Sequence, residues 1–203
     1  MVDVSATTLD IAGVKVPANM HGMSFLNKNQ IRDYVYGFRG RAGDADDDIR
    51  GITDGKFKLI LNRMPELPYM QLSSYKKSSY PGYTYYFYLD SIGKLPAPYN
   101  QFLDKERTEI ELYNLENDPC EFNNLAGDEN YNTIKNQLFD TLSTNLRKFE
   151  VNFIRESQET IAKVKKSSFE YGQKLLEDKG ISMNSSLEAW KDYWMKLYGL
   201  EED

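Results

Sequence analysis

A single histidine and a single cysteine occur among the 203 residues, and the two scarcities together remove most of the chemistry a chain of this size could carry. With His21 alone, no pair of histidines can ligate zinc and no histidine dyad can form. A Ser-His-Asp arrangement would have to run through His21, which lies in the turn Pro17-Ala18-Asn19-Met20-His21-Gly22 with no base-orienting partner nearby, so it reads as a surface histidine. Cys120 has no second cysteine for an internal disulfide and no basic neighbour to lower its thiol pKa, and it reads as inert. Long apolar runs are also missing. Phe57 to Leu61 is broken by Lys58, and nothing approaches the roughly 20 apolar residues that cross a bilayer. The start Met1-Val2-Asp3-Val4-Ser5 lacks the basic segment and apolar stretch of a signal peptide. Nor is there a surplus of positive charge: 25 Lys and Arg against 31 Asp and Glu leave a net charge of −6. That balance argues against sequence-independent nucleic-acid binding and against an anionic membrane surface.

What the chain has is a change of pattern along its length. Asp3 or Ser5 can cap a short helix with Val4, Leu9 and Ala12 at helical spacing, stopped by Gly13 and Pro17. So short a helix needs something to pack on, and nothing precedes it, which points to a chain beginning in the middle of a structure. Tyr34–Phe38 reads as a strand. Ile49–Thr53 and Lys56–Asn62 flank Asp54-Gly55, a dipeptide suited to a two-residue hairpin turn. Phe57, Leu59 and Leu61 alternate with Lys56 and Lys58, so one face of this hairpin is expected to be buried and the other wet. Glu109–Leu115 gives a further strand. The segment from Arg63 to Arg107 is rich in proline and tyrosine, and periodicity leaves Tyr83–Ile92 open between helix and strand. Beyond Asp128 the chain turns helical. Ile134, Leu138, Leu142 and Leu146 recur every four residues, with Ile154, Ile161, Val164 and Leu175 continuing the stripe to Gly180. Ser185 and Glu188 have capping-box spacing before a last helix whose face is Leu187, Trp190, Trp194 and Leu197. A small antiparallel sheet followed by helices is an α+β fold.

Several clusters could carry chemistry. Asp44, Asp46, Asp47 and Asp48 are the densest acidic group, but the sixth position from Asp44 is Ile49 instead of glycine and the twelfth is Gly55 instead of glutamate. A solvated acidic loop is the expected reading. Arg39, Arg41 and Arg50 bracket it, placed either to pair with it or to reach an anionic ligand. Lys76 and Lys77 lie among Tyr69, Tyr75, Tyr80 and Tyr83, an arrangement suited to a sulfated or carboxylated sugar or, alternatively, to tyrosines packing over the sheet. Lys163, Lys165 and Lys166 read as a solvated helix face.

Four segments, in order, resemble sulfatases. Glu111-Leu112-Tyr113-Asn114-Leu115-Glu116-Asn117-Asp118-Pro119, with Glu121 and Asn124-Leu125-Ala126, resembles the family's ELYDLxxDPxExxNLA signature. The run from Asp3 to Val14 is similar to the D-I-A-P-T-L-L-D-L-A-G-V helix, and His21–Leu26 to the Q-G-x-S-F-L turn. Ile49–Ile60 is similar to the I-R-A-V-R-T-x-R-x-K-L-I hairpin. Within the family, Asn62–Tyr69, Tyr75-Lys76-Lys77 and Glu109–Tyr113 look most like the N-sulfoglucosamine sulfohydrolase (sulfamidase) branch, in which the intervening segment is largely helical. The resemblance runs from Asp3 to about Glu156.

The resemblance implies three regions: residues 1–30 as the terminal piece of the catalytic α/β domain, 31–156 as the carboxyl-terminal subdomain, and 157–203 as a helical tail. It implies hydrolysis of sulfate esters or sulfamates on sulfated carbohydrate. In the family the hydrate of a formylglycine, made from the cysteine or serine of C/S-x-P-x-R, attacks sulfur beside a calcium ion. Cys120-Glu121-Phe122 lacks the proline of that motif, and Ser79-Tyr80-Pro81-Gly82-Tyr83 has tyrosine where it needs arginine. Calcium and formylglycine are therefore expected in an upstream catalytic domain, the expected partner, and this chain alone is expected to be inactive, with no catalytic or metal residue of its own. Arg41, Asp44 and Asp47 lie where the branch has R-x-D-E-x-x-D-x-I-R, and are the expected substrate-side residues. Family habit places the protein in the periplasm, outside the cell or in the lysosome. The alternative expectation is a non-enzymatic module that binds sulfated glycan or acts as a scaffold.

Overall fold

The computed structural model describes residues 2–27 and 32–200, so the expected boundary at 30/31, the first residue and the last three lie outside the described residues. The chain divides into one unit ending at Val35 and another beginning at Tyr36.

In the first unit, helix α1 spans Val2–Ile11. It begins before Asp3, so Asp3 lies in the first turn and neither it nor Ser5 is the cap. The helix holds the turn after it through its polar face. Asp3 Oδ1 accepts the Met23 N–H at 2.7 Å and the Arg32 guanidinium at 2.5 Å. One and two turns further on, Thr7 Oγ1 accepts the Phe25 N–H at 3.0 Å, and Asp10 Oδ2 accepts the Ser24 hydroxyl at 2.5 Å. Gly22 is required by this approach, because a Cβ there would sit 2.1 Å from the Val2 carbonyl oxygen.

The second unit is built on a four-stranded sheet in the order β1-β2-β3-β4, from Val35–Arg39, Ile49–Thr53, Phe57–Asn62 and Ile110–Asn114. β2 pairs antiparallel with β3, and β3 with β4. The hairpin turn is centred one residue later than Asp54-Gly55. Asp54 N–H bonds to the Phe57 carbonyl at 3.2 Å, Gly55 adopts φ +96°, and the Asp54 carboxylate accepts the Lys56 and Phe57 N–H groups at 2.9 and 2.7 Å. An aspartate that satisfies the turn's own amides fixes this register.

One sheet face carries Ile52, Leu59 and Leu112, and helix α4 (Asn132–Phe149) lies across β2 and β3 with Leu138 and Leu142 buried. Fully burying side chains of this size contributes about 1.5–3 kcal/mol each. The opposite face is drier than the alternation suggests. Ile60 is 8% exposed and Asn62 and Glu111 are buried, with Tyr69 and Phe102 of the proline-rich segment flanking the cleft above them.

That segment forms helices α2 (Ser74–Ser79) and α3 (Pro81–Ser91), which settles Tyr83–Ile92 as helix through Ser91. Ser73 caps α2 by accepting the Lys76 N–H, and Pro81 stands in the first turn of α3, where no amide is needed. The apolar stripe of the C-terminal half is interrupted: α4 ends at Phe149, Ile154 is 89% exposed between helices, and α5 (Gln158–Leu175) restarts on Ser157 as its cap. Helix α6 (Leu187–Tyr198) is capped by Ser186, one residue after the expected Ser185. α5 packs on α2, and α6 on α3. Their own core is Leu176, Met183, Trp190 and Trp194, whereas Leu197 is exposed. No helix among the described residues is long and apolar enough to cross a membrane.

Candidate functional site

Between β1 and β2 the chain makes a tight reversal. Ala42 and Ala45 exchange backbone hydrogen bonds at 2.9 and 3.1 Å around Gly43, whose φ of +63° suits glycine. The reversal sends Asp46, Asp47 and Asp48 inward. They are 8%, 3% and 8% exposed, which corrects the expectation of a solvated acidic loop.

Three buried carboxylates in a row persist only if each is paired, and each has an arginine. Asp47 accepts Arg107 Nη2 at 2.7 Å, lies 3.4 Å from Arg39 Nε, and takes the Asp48 N–H at 2.9 Å. Asp48 pairs with Arg50 at 2.6 Å and Asp46 with Arg155 at 2.5 Å. Arg50 also bonds Glu150, which Arg63 reaches at 2.9 Å. Burial opposes ionisation of Glu150, yet the hydrogen bonds from Arg50 and Arg63 outweigh it and hold its pKa below the usual carboxylate value.

Of the three expected substrate-side residues, the structure places only part of the set where a ligand could meet it. Asp47 has a side chain with no exposure and is committed to Arg107 and Arg39, so its role is to lock the loop. Asp44 is half-buried. Its Oδ2 accepts the Ser74 N–H at 2.8 Å, and its Oδ1 has no hydrogen-bond partner among the described residues. Arg41 is different again. Its guanidinium grips Glu156 with two bonds, Nε to Oε2 at 2.5 Å and Nη2 to Oε1 at 3.0 Å, and the pair stays open to solvent at 26% and 42% side-chain exposure. The hydrogen bond raises the Arg41 pKa and lowers that of Glu156.

The lysines among tyrosines are otherwise engaged. Lys76 Nζ bonds the Tyr83 hydroxyl at 2.9 Å, and Lys77 Nζ bonds the Met183 and Ser185 carbonyls at 2.8 and 3.2 Å. Burial lowers the Lys77 pKa. Lys163 and Lys166 pair with Glu159 and Glu170 on an exposed face, as their spacing suggests.

Residue reasoning missed the polar floor beside the loop. A cleft of about 380 Å³ opens over β1–β4 among Phe38, Arg39, Ile60, Tyr69 and Phe102, with Glu111 and Tyr113 projecting from β4. Glu111 is 3% exposed and accepts three hydrogen bonds: the Tyr69 hydroxyl at 2.5 Å, Asn62 Nδ2 at 2.6 Å and the Tyr113 hydroxyl at 2.7 Å. Burial first, then the bond to Glu111, pushes both tyrosine pKa values well above the ordinary phenol. Arg107 lies 4.7 Å from the Tyr69 ring centroid, which joins this floor to Asp47. Lys58 and Glu121 form a bidentate pair at 2.7 Å on the cleft wall. The available signal was the alternation of β4, which puts Glu111 and Tyr113 on one face; Arg107 gives no local sign at all.

Cys120 is exposed on the cleft wall and His21 is exposed in the first unit. Among the described residues no group of three or more His, Cys, Asp or Glu side chains could hold a metal ion. The aspartates do not fit calcium, because three of the four are already neutralised by arginines.

No family model matches the chain. It is similar to two ulvan-active sulfatases of Formosa agariphila. One is 33% identical over 132 residues, covering 64% of this chain and 22% of that protein. The other is 31% identical over 144 residues, covering 67% and 26%. The chain thus spans about a quarter of the length of the curated relatives it matches. Among solved structures it resembles a sulfatase of Bacteroides thetaiotaomicron at TM-score 0.48 and 16% identity, over 78% of this chain and 28% of that one. A 2-O GAG sulfatase gives TM-score 0.49 and 16% identity over 78% and 27%. The sequence likeness to the curated relatives supports the sulfatase family.

Proposed function

We infer that this chain is the carboxyl-terminal part of a sulfatase, supplying one wall of a site whose nucleophile and metal are carried by an upstream catalytic domain. The observation that carries the reading is identity above 30% to two sulfatases, together with the four family segments in order. Both relatives are described as ulvan-active, which supports a sulfated carbohydrate as substrate class and a secreted or periplasmic location. The resemblance of residues 62–113 to the sulfamidase branch adds sulfamates to the groups to be tested.

Formylglycine and calcium would supply the nucleophile and the charge neutralisation from the upstream domain. The contribution of this chain is electrostatic and positional. Its acidic loop is held rigid by Asp46, Asp47 and Asp48 on their arginines, and Arg41 stands at the solvent side of that loop with a fork that fits two oxygens of a sulfate. Asp44 is the second substrate-side candidate, but its unpartnered Oδ1 is shielded from solvent and its Oδ2 holds the Ser74 N–H, so Arg41 is the member of the set that a sugar reaches directly.

The test has two arms. The 203-residue chain, given a chromogenic sulfate ester, should release no sulfate above buffer; enzyme-like turnover would overturn the reading. In a full-length sulfatase that carries this chain behind its catalytic domain, Arg41→Ala should raise KM for a sulfated oligosaccharide roughly tenfold, the equivalent of one charge-assisted hydrogen bond. Unchanged kinetics would remove Arg41 from the site.

A further inference from the structure

The arginines around the acidic loop are not equivalent. Arg50 and Arg107 have side chains 3% and 2% exposed and are spent on buried carboxylates, so neither can exchange its partner without stranding a charge. Arg39 shares buried Asp47. The Arg41 partner is solvent-exposed and comes from a different kind of segment. Glu156 belongs to the stretch between α4 and α5, residues 150–157, which has no helix or strand and leaves Val151, Phe153 and Ile154 exposed at 75%, 51% and 89%. That stretch is pinned ahead of the contact, Glu150 by Arg50 and Arg63 and Arg155 by Asp46, and directly after it by Ser157, whose side chain caps α5 by accepting the Thr160 N–H. Glu156 can therefore leave Arg41 by rotation of its side chain while the backbone stays in place. A two-pronged carboxylate on a guanidinium also has the geometry with which a sulfate would bind the same fork.

We propose that Glu156 is a resident anion on the Arg41 fork, and that a sulfated ligand binds by displacing it. This rests on the reading of Arg41 as a substrate contact and adds the group that competes for it. An exposed ion pair of this type is weak enough to be exchanged, yet it sets a threshold: a single weak anion does not displace it, whereas a sulfate carried on a saccharide with other contacts does. Glu156 would thus tune ligand selection without touching the sugar.

The experiment is calorimetric titration of the 203-residue chain with a heparin-derived sulfated hexasaccharide at low ionic strength. The variants are Glu156→Gln, Arg41→Ala, the double variant, and Glu159→Gln as a control for loss of a nearby negative charge, since Glu159 is 77% exposed and paired with Lys163. Glu156→Gln should tighten binding roughly two- to fivefold, the range released by removing one exposed ion pair. Arg41→Ala should weaken binding, and Glu156→Gln should then have no effect in its background. Wild-type affinity in Glu156→Gln with weakened Arg41→Ala would overturn this proposal and leave the site reading standing. An equal gain from Glu159→Gln would reduce the effect to net charge and overturn it as well. No change in Arg41→Ala, or no heat from any variant, would remove both.

Discussion

Replacing Glu111 gives the sharpest test of how the cleft floor is held. Its carboxylate is 3% exposed and accepts the Tyr69 and Tyr113 hydroxyls and Asn62 Nδ2, while Asn62 keeps a second bond to the Thr108 carbonyl at 2.7 Å. Glu111→Ala leaves two hydroxyls and one N–H without their acceptor at the floor of the cleft. At about 1–3 kcal/mol for each buried donor left unpaired, even the low end sums to roughly 3 kcal/mol. Glu111→Gln is a milder change: its oxygen can serve Tyr69 and Asn62, and the Tyr113 hydroxyl can rotate to accept from the new amide. What is lost is the charge assistance, about 1 kcal/mol. Urea unfolding should show this ordering as a shift in midpoint at unchanged slope. The alanine variant should also melt lower by about 2–4 °C per kcal/mol, as expected for a chain of this size. If alanine costs no more than glutamine, the three hydrogen bonds to Glu111 do not hold the cleft floor.

Arg107→Met should destabilise the chain by about 3 kcal/mol, because it leaves the fully enclosed Asp47 carboxylate with only Arg39, 3.4 Å away, as a cation; adding Asp47→Asn should recover part of that loss, and additive losses in the double variant would contradict the pairing. In alkaline titration followed by tyrosinate absorbance, two of the fifteen tyrosines, Tyr69 and Tyr113, should ionise last. Their native pKa values are raised, so the associated stability is complete below the ordinary phenol value of 10.0 and is lost as pH climbs above it. Unfolding that starts well below that pH, or uniform titration of all fifteen, would count against the buried network.

The elements legible in the sequence were those with local causes. The β2–β3 hairpin, the fourfold spacing of Leu138 and Leu142 in α4, and the Trp190–Trp194 face of α6 each follow from a period of two or about four residues. Boundaries slipped where one side chain decides a hydrogen bond: Asp54 moved the turn by one residue, and Ser186 took the cap from Ser185. The candidate site was harder. Arg41, Asp44 and Asp47 could be named from their neighbours in the chain, but their differing fates depend on Glu156, Ser74 and Arg107, which lie 115, 30 and 60 residues away.

By itself, then, the sequence determined the α+β order and the concentration of charge around residues 39–50, since both are properties of composition and local spacing, while the likeness to sulfatases rests on four motifs met in the family's order. Only the tertiary structure decided which of those charges face solvent. Asp44, Asp46, Asp47 and Asp48 become one lock, two buried anchors and a half-buried acceptor of the Ser74 N–H, because burial favours a carboxylate beside a cation and two of those cations, Arg107 and Arg155, arrive from distant segments.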